Sequence, residues 1–269
     1  VEAVTSAGHQ DGLAPPRRRV VLLGASNLTR GLSTAIATAS AYWGGPADVL
    51  AALGHGRSYG GYSSVLGRAL PGIRNCGLWQ ALAQQPAVPT AALVTDVGND
   101  LLYEAPPEQV AQWVEECVER LQQAGARVAM TMLPLANSVG LSEWRYHYLR
   151  SCFFVSCHLS LDELRRRAAV LDAKLRALCA ERGVAAVEQR REWYGFDPIH
   201  IRARHQPAAW GEILAPWCDE PPPDVPRPTR RHGLYLWLLP PERRWFFGIE
   251  QRRLQPAGRL PDGSTVAIY

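Results

Sequence analysis

The stretch Arg19-Val20-Val21-Leu22-Leu23-Gly24-Ala25-Ser26 decides how the rest of the chain is read. Its β-branched and leucine run, Arg19–Gly24, has no polar alternation and stops at a glycine. Such a run is a strand buried on both faces rather than one. Leu28–Tyr42 then reads as a helix. Working outward, Asp48–Leu53, Ala91–Thr95, Arg127–Leu133 and Val184–Val187 repeat the short apolar strand pattern. Between them, Pro107–Gln123 is an amphipathic helix with proline in its first turn and a glycine just past its end. Ser160–Arg182 is a long arginine-rich helix, with Ser160 and Glu163 at capping-box spacing and Gly183 as its stop. Tyr62–Leu70 is expected to be helical, ended by Pro71-Gly72, and Ala208–Trp217 to be a closing helix. Strand and helix alternate about five times, the pattern of an α/β protein whose parallel sheet is covered on both faces.

The remaining segments are less regular. Residues 1–15 form a polar leader, expected to be mobile, and residues 16–218 form the body. Gly54–Gly61 carries four glycines in eight residues and must be a loop. Residues 136–158 are aromatic and without a period, expected as a long loop or loose helices. Trp144, Tyr146, Tyr148, Phe153 and Phe154 there form either a lid or acyl pocket, or core filling. The proline-rich segment 219–230 reads as a stiff linker. In 231–269, Leu234–Leu239, Trp245–Ile249 and Thr265–Tyr269 read as strands of a small β appendage, with a turn at Pro261-Asp262-Gly263-Ser264. Three short strands are marginal alone, so the appendage is expected to pack on the body or on another copy of the chain, making a homo-oligomer.

Composition narrows the function classes. The 269 residues are 47% hydrophobic and 20% charged, enough for a large core and too apolar for wholesale disorder. The net charge of +4 comes from residues 223–269, which hold eight Arg against four acids. No basic helix or stacking motif accompanies them, so no nucleic-acid partner is expected. The six cysteines form no CxxC pair, which argues against zinc or redox chemistry and fits a cytoplasmic location. No segment approaches the roughly 20 apolar residues of a membrane span. A dinucleotide site is disfavoured, because Gly24–Gly31 lacks G-x-G-x-x-G spacing and Lys174 is the only lysine.

In an open parallel sheet, active sites form at the carboxyl ends of the strands. Ser26 follows the first strand, Gly98-Asn99-Asp100 follows the third, and Asp197-Pro198-Ile199-His200 follows the last. Alone, Ser26 reads as a helix cap, Asn99 as a turn residue and Asp197-Pro198 as a turn opener. Together they fit nucleophilic acyl transfer. A serine hydroxyl needs a base, histidine can take and return its proton, and Asp197 can hold the imidazole of His200 in one tautomer. The oxyanion needs preformed donors, for which the Ser26 amide, a glycine-loop amide and the Asn99 side chain are candidates. Loss of one such donor typically raises a barrier by on the order of 3–4 kcal/mol.

Four blocks, Val20–Ser26, the glycine loop, Asp96-Val97-Gly98-Asn99-Asp100 and Asp197–His200, resemble in order those of the SGNH (GDSL-like) hydrolases. The resemblance spans about two thirds of the chain, residues 20–200. It implies a flavodoxin-like αβα sandwich, a small-molecule acyl ester substrate, a Ser26–Asp197–His200 triad, and neither metal nor organic cofactor. It places the oxyanion donors at Ser26, Asn99 and a loop glycine, with Gly60 preferred and Gly56 in reserve. One departure stands out: Gly24-Ala25-Ser26 replaces Gly-Asp-Ser, so the nucleophile loop lacks the aspartate that names the family. Transfer to an alcohol acceptor, and a non-catalytic binding module on the same fold, remain as alternatives.

Overall fold

The structure is a computed structural model that describes residues 17–269 apart from 66, 155–156, 221–222 and 226. The leader 1–15 and part of the proline-rich segment therefore lie outside the described residues. Strand β1 (Arg18–Leu23) leads into helix α1 (Ser26–Trp43), then β2 (Ala47–Ala52) and the short strands β3 (Ser63–Val65) and β4 (Arg68–Leu70). Helix α2 (Leu78–Gln84), β5 (Thr90–Val94), α3 (Asn99–Leu102), α4 (Pro107–Gln123) and β6 (Ala126–Thr131) follow. Next come α5 (Leu135–Val139), α6 (Glu143–Phe153), α7 (Leu161–Arg182), β7 (Ala185–Val187) and α8 (Gln206–Leu214). The chain continues through α9 (Arg230–Leu238), β8 (Arg243–Phe246), β9 (Ile249–Arg252), β10 (Gly258–Arg259) and β11 (Thr265–Ile268).

The central sheet runs β10-β11-β2-β1-β5-β6-β7 and is parallel except for β10. Its β2-β1-β5-β6-β7 part has the flavodoxin order, with β1 and β5 adjacent at the point where the winding reverses. Because β1 is central, its alternate residues feed two cores. Val21 and Leu23 pack with Val114, Val118, Leu121, Leu171 and Leu175 of α4 and α7. Val20 and Leu22 pack with Leu28, Leu32, Ile36, Trp210 and Ile213 of α1 and α8. The uninterrupted apolar run at 20–23 is thus the mark of a strand covered twice. Helix α7 begins as its capping sequence dictates, with Ser160 Oγ accepting from the Glu163 amide at 3.2 Å and Gly183 closing it at φ +64°.

Three expectations are corrected. Residues 62–70 are not a helix. Gly67 (φ +75°) makes the turn of a β3–β4 hairpin, and β4 pairs antiparallel with β8. The pairing edge that makes this segment extended lies far along the chain, where no local pattern reveals it. Leu234–Leu239 is not a strand but falls on α9, where Thr229 Oγ1 accepts from the His232 amide at 3.2 Å. Nor is Trp245–Ile249 one strand: Phe247 (φ +46°) and Gly248 (φ +81°) turn between β8 and β9, and the C-terminal strands divide. The β8–β9 hairpin joins β3–β4 in a small antiparallel sheet, whereas β11 enters the central sheet parallel to β2, pairing Val266 with Val49. The expected turn at residues 261–264 is present, with Gly263 at φ +87° and Asp262 Oδ1 accepting from the Ser264 amide at 2.9 Å.

Candidate active site

The ends of β1 and β5 approach so closely that a Cβ on Gly24 would lie 2.7 Å from Thr95 Cγ2. Tyr59 fixes this approach, its hydroxyl reaching the carbonyls of Thr95 (2.7 Å) and Leu23 (3.2 Å). Ser26 is the first residue of α1 and is buried. First-turn amides of a helix lack partners within the helix. Here Asp96 Oδ2 accepts from Ala25 (2.9 Å), Asn27 (3.0 Å) and Leu28 (3.2 Å). The Ser26 amide is passed over and has no acceptor among the described residues. Asp96 does this from a left-handed backbone, φ +60°.

Asp96 is thus the carboxylate that holds the first turn of α1, a role sequence reading did not assign to it. Nor did it single out Asn27. That side chain donates to Asp96 Oδ1 (2.8 Å) and to the Ile199 carbonyl (2.9 Å), and accepts from the Ile201 amide (2.8 Å). The residues flanking His200 are therefore tied to the residue that follows Ser26. The only sequence signal was an amide next to the serine; its partners lie about 70 and 170 positions away.

Within the His200 turn, Asp197 Oδ1 accepts from the amides of Ile199 (3.0 Å) and His200 (3.2 Å). Asp197 Oδ2 lies 2.6 Å from His200 Nδ1. Burial works to raise the Asp197 pKa, but the His200 hydrogen bond and charge and the two amides outweigh it and hold the carboxyl below its ordinary range. His205 is set apart on a short 3₁₀ turn, its Nε2 accepting from Arg204 Nε at 3.1 Å.

The glycine loop is built on Asp100. This carboxyl is buried, takes the Tyr59 amide at 2.9 Å and also accepts from the Ser58 hydroxyl. Burial pushes its pKa up to about 6. The Ser58 hydroxyl oxygen in turn accepts from the amides of Gly60 (3.0 Å) and Gly61 (2.9 Å). The Gly60 amide is thus engaged by Ser58, and a Cβ on Gly60 would lie 2.3 Å from the Trp113 ring. The Gly56 amide, at φ +62°, has no acceptor among the described residues. Asn99, at the start of α3, is buried, and its Nδ2 has no partner among the described residues. An orphaned buried amide is costly to keep, and oxyanion donors are a known reason for one.

Ser26 and Asn99 line a cavity of about 170 Å³ between the sheet edge and α5–α7. Its walls are mostly apolar and include Leu102, Leu164 and Ala168. Tyr146 and Phe154, two of the five aromatics of 142–158, also face it. Trp144 and Tyr148 are instead 63% and 59% exposed, and the Phe153 side chain lies outside the described residues. Among the described residues no cluster of His, Cys, Asp or Glu could hold a metal, and no helix is long and apolar enough to cross a membrane. Five cysteines, at 76, 117, 157, 179 and 218, are free thiols.

No family model and no curated protein matches the chain. Solved structures do. The aryl esterase of M. smegmatis superposes with a TM-score of 0.51 at 14% identity, over 73% of this chain and 96% of that one. The psychrotrophic esterase EstA of Pseudoalteromonas sp. gives 0.47 at 13% identity, over 73% and 94%. A member of the lipolytic G-D-S-L family from Veillonella parvula gives 0.44 at 10%, over 74% and 96%. The chain shares the fold of the aryl esterase. At these identities the likeness is one of fold, and function has to be argued from the site.

Proposed function

We propose that the protein is a serine esterase that cleaves carboxylic esters through an acyl-enzyme on Ser26. The observation that carries this reading is the Asp197–His200 pair, 2.6 Å apart, on a turn whose Ile199 and Ile201 peptide groups are tied to Asn27, the residue beside Ser26. In the proposed cycle, His200 Nε2 takes the Ser26 proton as Oγ attacks the ester carbonyl. Nδ1 stays hydrogen-bonded to Asp197, which fixes the tautomer and stabilises the imidazolium. The carbonyl oxygen becomes an oxyanion held by the Ser26 amide, the Gly56 amide and Asn99 Nδ2. These donors have no competing partner to break first, so their reorganisation cost is small. His200 returns the proton to the leaving alcohol, and water attacks the acyl-enzyme by the reverse route. The apolar cavity beside Ser26 receives the acyl group, since burying its methylenes contributes about 0.8 kcal/mol each.

The test is hydrolysis of p-nitrophenyl acetate, butyrate and octanoate by the wild-type protein beside Ser26→Ala. The expected result is wild-type turnover that Ser26→Ala lacks. Equal rates for both proteins would exclude the reading. Adding an alcohol acceptor and analysing the products separates hydrolysis from transfer.

A further inference from the structure

The helix bearing Ser26 and the turn bearing His200 lie more than 170 positions apart in the chain, and nothing local in the sequence sets their relative position. We propose that Asn27 is the positioning residue of this site, setting the register between nucleophile and base, with Asp96 as its anchor. This rests on the esterase reading above.

Asn27 makes a backbone-like pair with the His200 turn. Its Nδ2 donates to the Ile199 carbonyl (2.9 Å) and its Oδ1 accepts from the Ile201 amide (2.8 Å), so both peptide groups around His200 are held by one planar amide. The same Nδ2 donates its second proton to Asp96 Oδ1 at 2.8 Å. Asp96 Oδ2 meanwhile fixes the amides of Ala25, Asn27 and Leu28. One carboxylate therefore orients the Asn27 side chain, locks the first turn of α1, and leaves the Ser26 amide as the unpaired donor of that turn. A planar amide with two donors and an acceptor fits this arrangement; alanine, aspartate and leucine do not. Misplacement by about 1 Å costs on the order of 10²-fold in rate, so such a clamp is worth as much as a catalytic group.

Three measurements on Asn27 variants test the proposal. The first is phosphonylation of Ser26 by a fluorophosphonate, which reads nucleophile activation. Asn27→Ala should slow it on the order of 10²-fold. The second is amide hydrogen exchange at Ile201, which needs no activity. Asn27→Ala should speed it by about tenfold or more, with the central β1 and β5 amides unchanged. The third guards against a variant that folds poorly. Protonated Asn27→Asp can still donate once and accept once, but its carboxylate would face Asp96. The ratio of its kcat/KM to wild type should fall by about tenfold or more between about pH 5.5 and pH 8.5. Asp96, Asp197, His200 and His55 are common to both proteins, so the ratio isolates the new carboxyl. A phosphonylation rate within about threefold of wild type in Asn27→Ala, or a flat pH ratio in Asn27→Asp, overturns the proposal. If wild-type Ser26 takes up no phosphonate, the esterase reading fails by itself. Unchanged Ile201 exchange in Asn27→Ala then still rejects the clamp.

Discussion

Asp197 Oδ2 sits 2.6 Å from His200 Nδ1, while Asp197 Oδ1 accepts the amides of Ile199 and His200. One carboxylate thus shapes the turn and orients the ring that the turn carries. The two roles divide between its oxygens. Removing the ring should then cost more than neutralising the carboxyl. His200→Ala is expected to abolish hydrolysis of a weakly activated ester. Asp197→Asn keeps the turn but permits the wrong tautomer, a change that costs about 10⁴-fold in a well-studied serine protease triad. We expect it to be the milder of the two here. His205→Ala should leave kcat/KM within about threefold. The three values on one short-chain ester at about pH 8 decide the assignment; loss of activity in His205→Ala alone would reverse it.

Asn99 should separate activity from stability. Its buried Nδ2 has no partner among the described residues, so Asn99→Ala removes an orphaned polar group. The thermal midpoint should stay level or rise, because an unsatisfied buried donor costs about 1–3 kcal/mol. On the proposed role of Asn99, activity should fall by about 10²–10³-fold in kcat, the usual loss for an oxyanion-hole donor. Thermal melts and kcat on the same preparation check both halves.

Asp100 makes stability depend on pH in an unusual direction. Its folded pKa, about 6, lies above the ordinary 3.8 because burial disfavours the carboxylate. The folded state then holds a proton that the unfolded state has lost. The contribution is fully present below about pH 4 and is lost as pH rises through about 6. Asp100→Asn should flatten this part of the profile, by up to about 3 kcal/mol. Urea unfolding of both proteins across that window measures it. Parallel profiles would place the titration elsewhere.

The cavity wall should set acyl length. Ala168→Phe, on α7, fills space that the apolar chain of a longer ester would occupy. It should lower kcat/KM for octanoate far more than for acetate. Trp144→Ala, at a residue 63% exposed, should leave the ratio of the two unchanged. A Trp144→Ala effect equal to that of Ala168→Phe would move the acyl site to the outer face of α6.

The C-terminal strand makes a further test. Val266, Ala267 and Ile268 are buried beside β2, and a valine or isoleucine side chain contributes about 1.5–3 kcal/mol when fully buried. Removing residues 222–269 should therefore yield aggregated or unfolded protein, seen by size-exclusion chromatography and circular dichroism. A soluble, cooperative core would show that β11 is dispensable.

The parallel, doubly covered sheet was legible because β1 and β5 are buried on both faces, which leaves a short apolar run in each. The Asp197–His200 contact was legible because the two residues stand three positions apart. Asp96, Asn27 and the Ser58–Asp100 pair were not, since each works across a gap that only the fold closes. For the same reason the engagement of the Gly60 amide by Ser58, a residue with no motif of its own, was not legible. Residues 62–70 and 234–239 were misread because short apolar runs take their conformation from tertiary partners: β8 for the first, the α1 surface for the second.

The most direct test of the central claim is the site of covalent labelling. The protein is treated with a fluorophosphonate, digested, and the adduct located by tandem mass spectrometry, with His200→Ala alongside. The account predicts a single phosphonylated serine, Ser26, in the wild-type protein and little or no adduct in His200→Ala. An adduct on another serine, or equal labelling of Ser26 without His200, would contradict it.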